Sequence, residues 1–207
     1  MSLQSIVDLN NNSVAHLAAG NANSAMKALT SAIVAMRETQ ESIEVDVAVE
    51  LLTQGRKTPS VEISQLQDPI FYVYNKAPLL DTSDDIASAN AVLLFNMALT
   101  LHRWGLECSQ TDKLRKSFRL YGLAYQIAAT LGASPSIISI ACLNNQAAIC
   151  YSMTEYDAAR ELLDSIPEAA DVAMDSLEPL SLDAQEGLDE ICLNVTIMQR
   201  PTAAASA

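Results

Sequence analysis

Apolar residues recur along most of this chain at spacings of three and four, the period that places them on one face of an α-helix. The pattern predicts helices over residues 3–19, 22–39, 84–105, 112–131, 136–153 and 156–166, a shorter one near 169–176 and a last one over 183–199. One face of the last helix is apolar, formed by Leu188, Ile191, Cys192, Val195 and Met198. We therefore predict an all-α fold of stacked antiparallel helical hairpins with a C-terminal capping helix. Pro201 should end this helix, and residues 201–207 are predicted to form a disordered tail.

The stretch between the second and third predicted helices, roughly residues 41–80, has a different pattern. Residues 43–49 alternate apolar and polar side chains with a period of two, while 61–63 and 70–74 are β-branched and aromatic. Pro59 and Pro69 interrupt the run. We predict a short extended, β-like insertion near residues 43–75 that packs beside the helices.

Three parts of the chain share one order of large and small residues. In the first helix of each part the order is carried by Leu9, Asn11 and Ser13, by Leu94, Asn96 and Ala98, and by Leu143, Asn145 and Ala147. In the second helices it is carried by Ala25, Leu29 and Ala32, by Ser117, Tyr121 and Ala124, and by Ala159 and Leu163. A small residue one turn after a large one lets a neighbouring helix approach closely. A pair of this kind cannot bury its apolar face alone, so the pairs are expected to stack.

This order of residues resembles the tetratricopeptide repeat, with units near 3–39, 84–131 and 136–166. The resemblance implies one helical-repeat domain over residues 1–200 in which the first helices line a concave groove. Successive units begin farther apart than the family's usual period of about 34 residues. The middle unit also has a longer predicted turn, over residues 106–112. An irregular stack is therefore expected rather than a regular superhelix.

Asparagines occupy matching places in the first helices of the three units, namely Asn11, Asn96 and Asn145, with Asn10 and Asn144 one residue further round. In some tetratricopeptide proteins asparagines at this place hold a bound peptide by its backbone. The resemblance therefore implies a partner-binding role, with His102 as a further groove candidate. A carboxamide offers both a donor and an acceptor, which suits a peptide unit of any sequence. The alternative is that these amides bridge neighbouring helices inside the protein.

The charge balance of the 207 residues is acidic, with 25 Asp and Glu against 12 Lys and Arg, a net charge of −13. Such a surface disfavours nucleic acids and anionic membranes, and its acidic C-terminal third favours a basic partner surface. Four bases form a cluster, Lys113, Arg115, Lys116 and Arg119. This cluster is either a solvated face or a site for an acidic tail or phosphate. The uncharged run over 120–154 is interrupted by polar residues and a proline, which predicts buried helices rather than a membrane span.

Catalytic and metal-binding motifs are not found in the sequence, so we predict no enzyme activity, no metal and no cofactor. The four cysteines form no CxxC pair and no signal peptide is visible, which predicts reduced thiols in a cytoplasmic or nuclear protein. The predicted function is a protein–protein interaction module, a scaffold or adaptor that binds a peptide or protein partner in a concave helical groove. The alternative is a fixed structural subunit of a larger assembly. The sequence leaves the partner's identity and the oligomeric state open.

Overall fold

A computed structural model of the chain describes residues 2–39, 43–53, 71–131, 136–174 and 182–199. The described residues form the helices α1 (Leu3–Ala18), α2 (Ala22–Thr39), α3 (Ile43–Thr53), α4 (Ile86–Glu107), α5 (Thr111–Thr130), α6 (Ile137–Ser152), α7 (Tyr156–Asp164), α8 (Ile166–Met174) and α9 (Leu182–Gln199). These residues contain no β-strand. The all-α prediction is therefore confirmed. The predicted tail over 201–207 lies outside the described residues.

Consecutive helices pack as pairs, α1 with α2, α4 with α5 and α6 with α7. Each pair is joined by a three-residue turn whose middle residue has a positive φ: Gly20 (73°), Ser109 (53°) and Thr154 (63°). In each turn the residue after it donates its N–H, at 2.8 Å, to the carbonyl five positions earlier in the chain. These bonds close the ends of α1, α4 and α6 in the same way, as in a Schellman motif.

The middle turn is shorter than the sequence suggested. The predicted loop over 106–112 was wrong, because α4 continues to Glu107 and α5 begins at Thr111. The N–H of Gln110 donates to the carbonyl oxygen of Gly105, which closes the turn at the same length as the other two. Ser109 adopts a positive φ of 53°, although its Cβ makes this conformation more strained than it is for glycine. This is why a turn without glycine was not recognised.

Close approach of the paired helices depends on small residues at the predicted positions. They are all at most 1% exposed: Ser13, Ala25, Ala32, Ala98, Ser117, Ala124, Ala147 and Ala159. The Ser117 hydroxyl donates to the Ala98 carbonyl oxygen at 2.7 Å, which requires the backbones of α4 and α5 to lie close together. At Gly105 an added Cβ would lie 2.8 Å from Cδ2 of Leu114. The predicted large and small positions therefore lie at helix contacts.

The insertion is only partly extended. Residues 43–53 form α3, so the β-like prediction was wrong there. Val45, Ala48 and Leu51, spaced by three, are buried, and α3 packs against α2 and α5. This one-sided burial favours the helix over the local preference of β-branched residues for strands. Residues 54–70, which include the predicted stretch 61–63, lie outside the described residues, whereas 71–80 form neither a helix nor a strand.

One hydrophobic core connects buried residues from Ile6 in α1 to Val195 in α9. Every residue from Ser139 to Cys150 is buried, because α5, α7, α8 and α9 pack around α6. The uncharged run of the sequence thus includes the helix that the rest of the chain covers most completely. Among the described residues, no helix combines the length and apolar character required to cross a membrane. All four cysteines are free thiols, with Cys142 and Cys150 buried.

Candidate asparagine-lined groove

A stretch of the chain outside the helices, residues 71–80, lies across α1, α4, α6 and α9 and is held there by asparagine side chains. We call these residues the groove segment. The side chains that hold it form what we call the asparagine ladder: Asn10, Asn11, Asn96, Asn144, Asn145 and Asn194. The ladder residues come from four different helices, which are the first helices of the three pairs and the C-terminal helix.

Two ladder residues each bind both backbone groups of one residue in the aromatic half of the segment. The N–H of Tyr72 donates to Oδ1 of Asn194 at 2.8 Å, and Nδ2 of Asn194 donates to the Tyr72 carbonyl oxygen at 2.7 Å. Asn145 repeats this arrangement with Tyr74, at 2.8 Å and 2.9 Å. Asn144 adds a donor to the Tyr72 carbonyl at 3.1 Å. Each asparagine therefore acts like the backbone of a neighbouring β-strand.

The other half of the segment is held from α1 and α4. Asn11 binds both backbone groups of Leu80, accepting from its N–H at 2.9 Å and donating to its carbonyl at 3.0 Å. Asn96 and Asn10 both donate to the Pro78 carbonyl oxygen, at 2.8 Å and 3.3 Å. The ladder thus holds both ends of the segment.

Every ladder contact falls on an even-numbered residue of the segment. In an extended chain, successive residues present their backbone groups to opposite sides, so a wall on one side meets every second residue. A carboxamide supplies a donor and an acceptor at fixed spacing, which matches the N–H and carbonyl of a single residue. These contacts are independent of the segment's side chains. They involve only backbone groups, which every extended peptide carries.

Hydrogen bonds between ladder residues fix the orientation of the amides. Nδ2 of Asn96 donates to Oδ1 of Asn10 at 2.9 Å, and Nδ2 of Asn194 donates to Oδ1 of Asn144 at 2.7 Å. Asn144 also donates to Oδ1 of Asn145 at 3.2 Å. The first two bonds connect ladder residues on different helices, and the third connects neighbours within α6, so the wall holds its donors and acceptors in position together.

Two side chains of the segment are buried in the groove. Tyr74 is 8% exposed, and its ring packs edge-to-face with the Phe95 ring, with the centroids 6.1 Å apart. The ring also lies against Gly187 of α9, where an added Cβ would come 2.5 Å from Cε2 of Tyr74. Leu80 is 4% exposed. By contrast the side chain of Leu79 is 64% exposed.

The rim of the groove carries charge where the segment passes α9. Nζ of Lys76 lies 3.8 Å from a carboxylate oxygen of Glu186. Burial, together with the charge of Glu190 on the same helix, raises the pKa of the Tyr72 phenol. The acidic face of α9 therefore favours a basic residue at the place of Lys76.

Beneath the ladder lies a buried polar pair, Tyr121 and His102. Nδ2 of Asn145 donates to the Tyr121 hydroxyl at 3.0 Å, and this hydroxyl lies 3.5 Å from Nδ1 of His102. Burial raises the pKa of Tyr121 well above its usual value and lowers the pKa of His102 to about 4. Both groups are therefore neutral near pH 7. The structure places His102, a predicted groove residue, wholly inside the protein behind Tyr121.

Three buried side-chain atoms have no hydrogen-bond partner among the described residues: Asn90 Oδ1, Asn96 Oδ1 and His102 Nε2. Asn96 is 1% exposed and is the ladder residue that faces Pro78. Where Asn11, Asn145 and Asn194 accept an N–H from the segment, Asn96 meets a proline, which has none. Its acceptor is left without a partner at that rung of the ladder.

The five predicted asparagines come together on one wall, and all of them contact the groove segment. Whether they also bind another protein stays a prediction. The sequence analysis missed Asn194, which lies on the predicted capping helix. A signal for it exists, since Cys-Leu-Asn occurs both at 142–144 and at 192–194. The match was hidden because Asn194 follows no recognisable hairpin pattern.

The basic cluster lies away from the ladder, on α5. Nζ of Lys113 lies 4.1 Å from the centre of the Trp104 ring, and Lys116 pairs with Asp112 at 3.5 Å. Arg115 and Arg119 line a surface cleft of about 160 Å³. No group of side chains suited to hold a metal ion is found in the part of the chain that the structure describes.

Comparisons of this chain with protein-family models, with curated proteins and with solved structures find no match. Its function is therefore inferred from the groove itself.

Proposed function

We propose that this protein is an interaction module that holds an extended peptide of a partner protein by its backbone, and that residues 71–80 occupy the groove at rest. The observation that carries the proposal is the pairing of Asn194, Asn145 and Asn11 with both backbone groups of single residues. Binding of this kind does not depend on the peptide's side chains, so a partner segment can replace the chain's own.

The energetics of replacement are close to balanced. A partner peptide that takes the segment's place restores each hydrogen bond that is broken, so little net hydrogen-bond energy is lost. The cost lies in the entropy of fixing a separate chain, whereas the resident segment is tethered. Partners must therefore fit the buried positions of Tyr74 and Leu80 at least as well as the segment does.

Hydrogen–deuterium exchange tests the proposal. Peptides of random sequence would first be selected for binding to the full chain. If they bind in the groove, the amide protons of Tyr72, Tyr74 and Leu80 exchange faster when the peptide is present, because the segment has left the ladder. If the bound peptides leave the protection of these amides unchanged, the groove is a permanent part of the fold and the proposal is wrong.

The alternative function is that of a fixed subunit in a larger assembly. The central helices α4 and α6 of the protein are already covered by the rest of the chain, so their buried middle parts offer no free face to a neighbouring subunit. What favours it is an exposed apolar surface that includes Leu79 and Leu131, which are 64% and 41% exposed. Leu79 and Leu131 border a cleft on this surface. A permanent partner would cover this surface, and Leu79→Asp with Leu131→Asp would then abolish assembly without changing peptide binding.

A further inference from the structure

The groove segment leaves one hydrogen-bond acceptor of the asparagine ladder without a donor. Three of the four rungs at 72, 74, 78 and 80 supply an N–H to a ladder asparagine, but the rung at 78 is a proline. Asn96 is one of the two asparagines that donate to the carbonyl of this rung, and its Oδ1 is buried without a hydrogen-bond partner among the described residues. The position of the unused acceptor thus coincides with the one rung that has no donor.

We propose that the groove's preferred occupant is an extended segment of another protein that has an aromatic residue at the place of Tyr74, a leucine at the place of Leu80 and, in place of Pro78, a residue with an N–H. This inference rests on the proposed function and names the class of peptide that the groove selects. Pro78 makes the resident segment an imperfect occupant, so a partner peptide can displace it.

The buried contacts of the segment define the side chains of this class. The Tyr74 ring fits between Phe95 and Gly187, a space that only the absence of a Cβ at Gly187 leaves open. Leu80 is buried six residues later, while Asn75 and Leu79 are exposed and leave their positions unrestricted.

Charge adds one further preference. Lys76 lies beside Glu186 on α9, and the chain as a whole carries a net charge of −13. A basic residue two positions after the aromatic one therefore suits the rim, and an acidic one does not. The occupant is a separate protein rather than a second copy of this chain, because another copy would bring the same proline.

The missing hydrogen bond to Oδ1 of Asn96 favours a residue with an N–H over proline at position 78. A buried acceptor without a partner is costly, and supplying its donor recovers that cost. Proline also restricts the free peptide, which favours binding, but by a smaller amount. Replacing the proline is therefore expected to strengthen binding by about tenfold.

The test uses fluorescent synthetic peptides of residues 71–81 and the full chain carrying Leu80→Ala, which loosens the resident segment. Fluorescence anisotropy should show that the Pro78→Ala peptide binds about tenfold more tightly than the parent. The Tyr74→Ala peptide should bind at least about tenfold more weakly, because it loses the buried anchor. The Leu79→Ala peptide is the matched control and should bind like the parent. If Leu80→Ala unfolds the chain, the wild-type chain at higher concentration serves as host.

The role of Asn96 is tested by adding Asn96→Ala to the host chain. The advantage of the Pro78→Ala peptide should disappear there, because the acceptor is gone. If the advantage persists, or if it is absent with Asn96 in place, the inference about Pro78 is overturned while the proposed function stands. If no peptide binds any folded host, the proposed function itself is wrong. A stable dimer of the wild-type chain whose segments are exchanged would assign the groove to a second copy and overturn the inference as well.

Discussion

The ring of Tyr74 occupies the space that a side chain at Gly187 would need, since an added Cβ would lie 2.5 Å from Cε2 of the ring. The extended segment and α9 are therefore complementary at this point. A glycine inside a helix normally weakens it by up to about 1 kcal/mol relative to alanine. Here the absence of a side chain at Gly187 leaves the space that the Tyr74 ring occupies.

Gly187→Ala should lower the free energy of unfolding by about 1–2 kcal/mol, because displacing the ring outweighs the better helix propensity of alanine. Gly122→Ala is the matched control, since its added Cβ would make only an ordinary contact, 3.4 Å from Nε2 of Gln146. The control should raise the free energy by up to about 1 kcal/mol. Urea denaturation measures both changes, and an equal gain for the two variants would show that Tyr74 is not confined by α9.

Asn194→Ala should lower the free energy of unfolding by about 2–4 kcal/mol, because the N–H of Tyr72 and Oδ1 of Asn144 both lose their partner. Asn75→Ala, at an exposed position of the segment, should change it by less than about 0.5 kcal/mol. The measurement is again denaturant unfolding. A change for Asn194→Ala as small as that for Asn75→Ala would mean that the hydrogen bonds between Asn194 and Tyr72 do not contribute to stability.

Within the intact chain, Pro78→Ala should raise the free energy of unfolding by about 1 kcal/mol, because the new N–H satisfies Oδ1 of Asn96. The same substitution should give no gain when Asn96 is alanine. This double-mutant cycle isolates the one interaction. A loss of stability on Pro78→Ala would show that the rigidity of proline outweighs the unmade hydrogen bond.

Acid should destabilise the protein through His102. Burial lowers the pKa of this residue from 6.5 to about 4 in the folded chain. The unfolded chain therefore binds a proton that the folded chain does not between these two values. The contribution is fully present above pH 6.5 and is lost as the pH falls toward 4, by about 3 kcal/mol in total. His102→Gln should flatten the stability profile over this range, measured by denaturation at several pH values, and an unchanged slope would contradict the assignment.

The helices could be predicted from the sequence because their signal is local. The apolar period of α5 or α9, and the small residues such as Ala98 that allow close packing, are visible without knowledge of the partner helix. The recurring asparagines were visible for the same reason, as matching places in similar helices.

What occupies the ladder could not be predicted, because it depends on contacts between distant parts of the chain. Tyr72 meets Asn194 across 122 positions of sequence. Residues 70–74 have the composition of a strand. The backbone groups of Tyr72 and Tyr74 are hydrogen-bonded, but to side chains rather than to another strand. The alternating pattern over 43–49 failed for a related reason, since packing of Val45 and Ala48 against other helices decides the conformation of α3.

The path of the groove segment has a consequence for how the chain comes apart. Stacked helix pairs that touch only their neighbours can fray from either end, one pair at a time. Here ten consecutive residues are tied to Asn11 near the amino end and to Asn194 near the carboxyl end. Neither terminus can unfold alone without releasing the groove segment, so thermal unfolding should be a single cooperative event. A peptide that displaces the groove segment would make thermal unfolding stepwise.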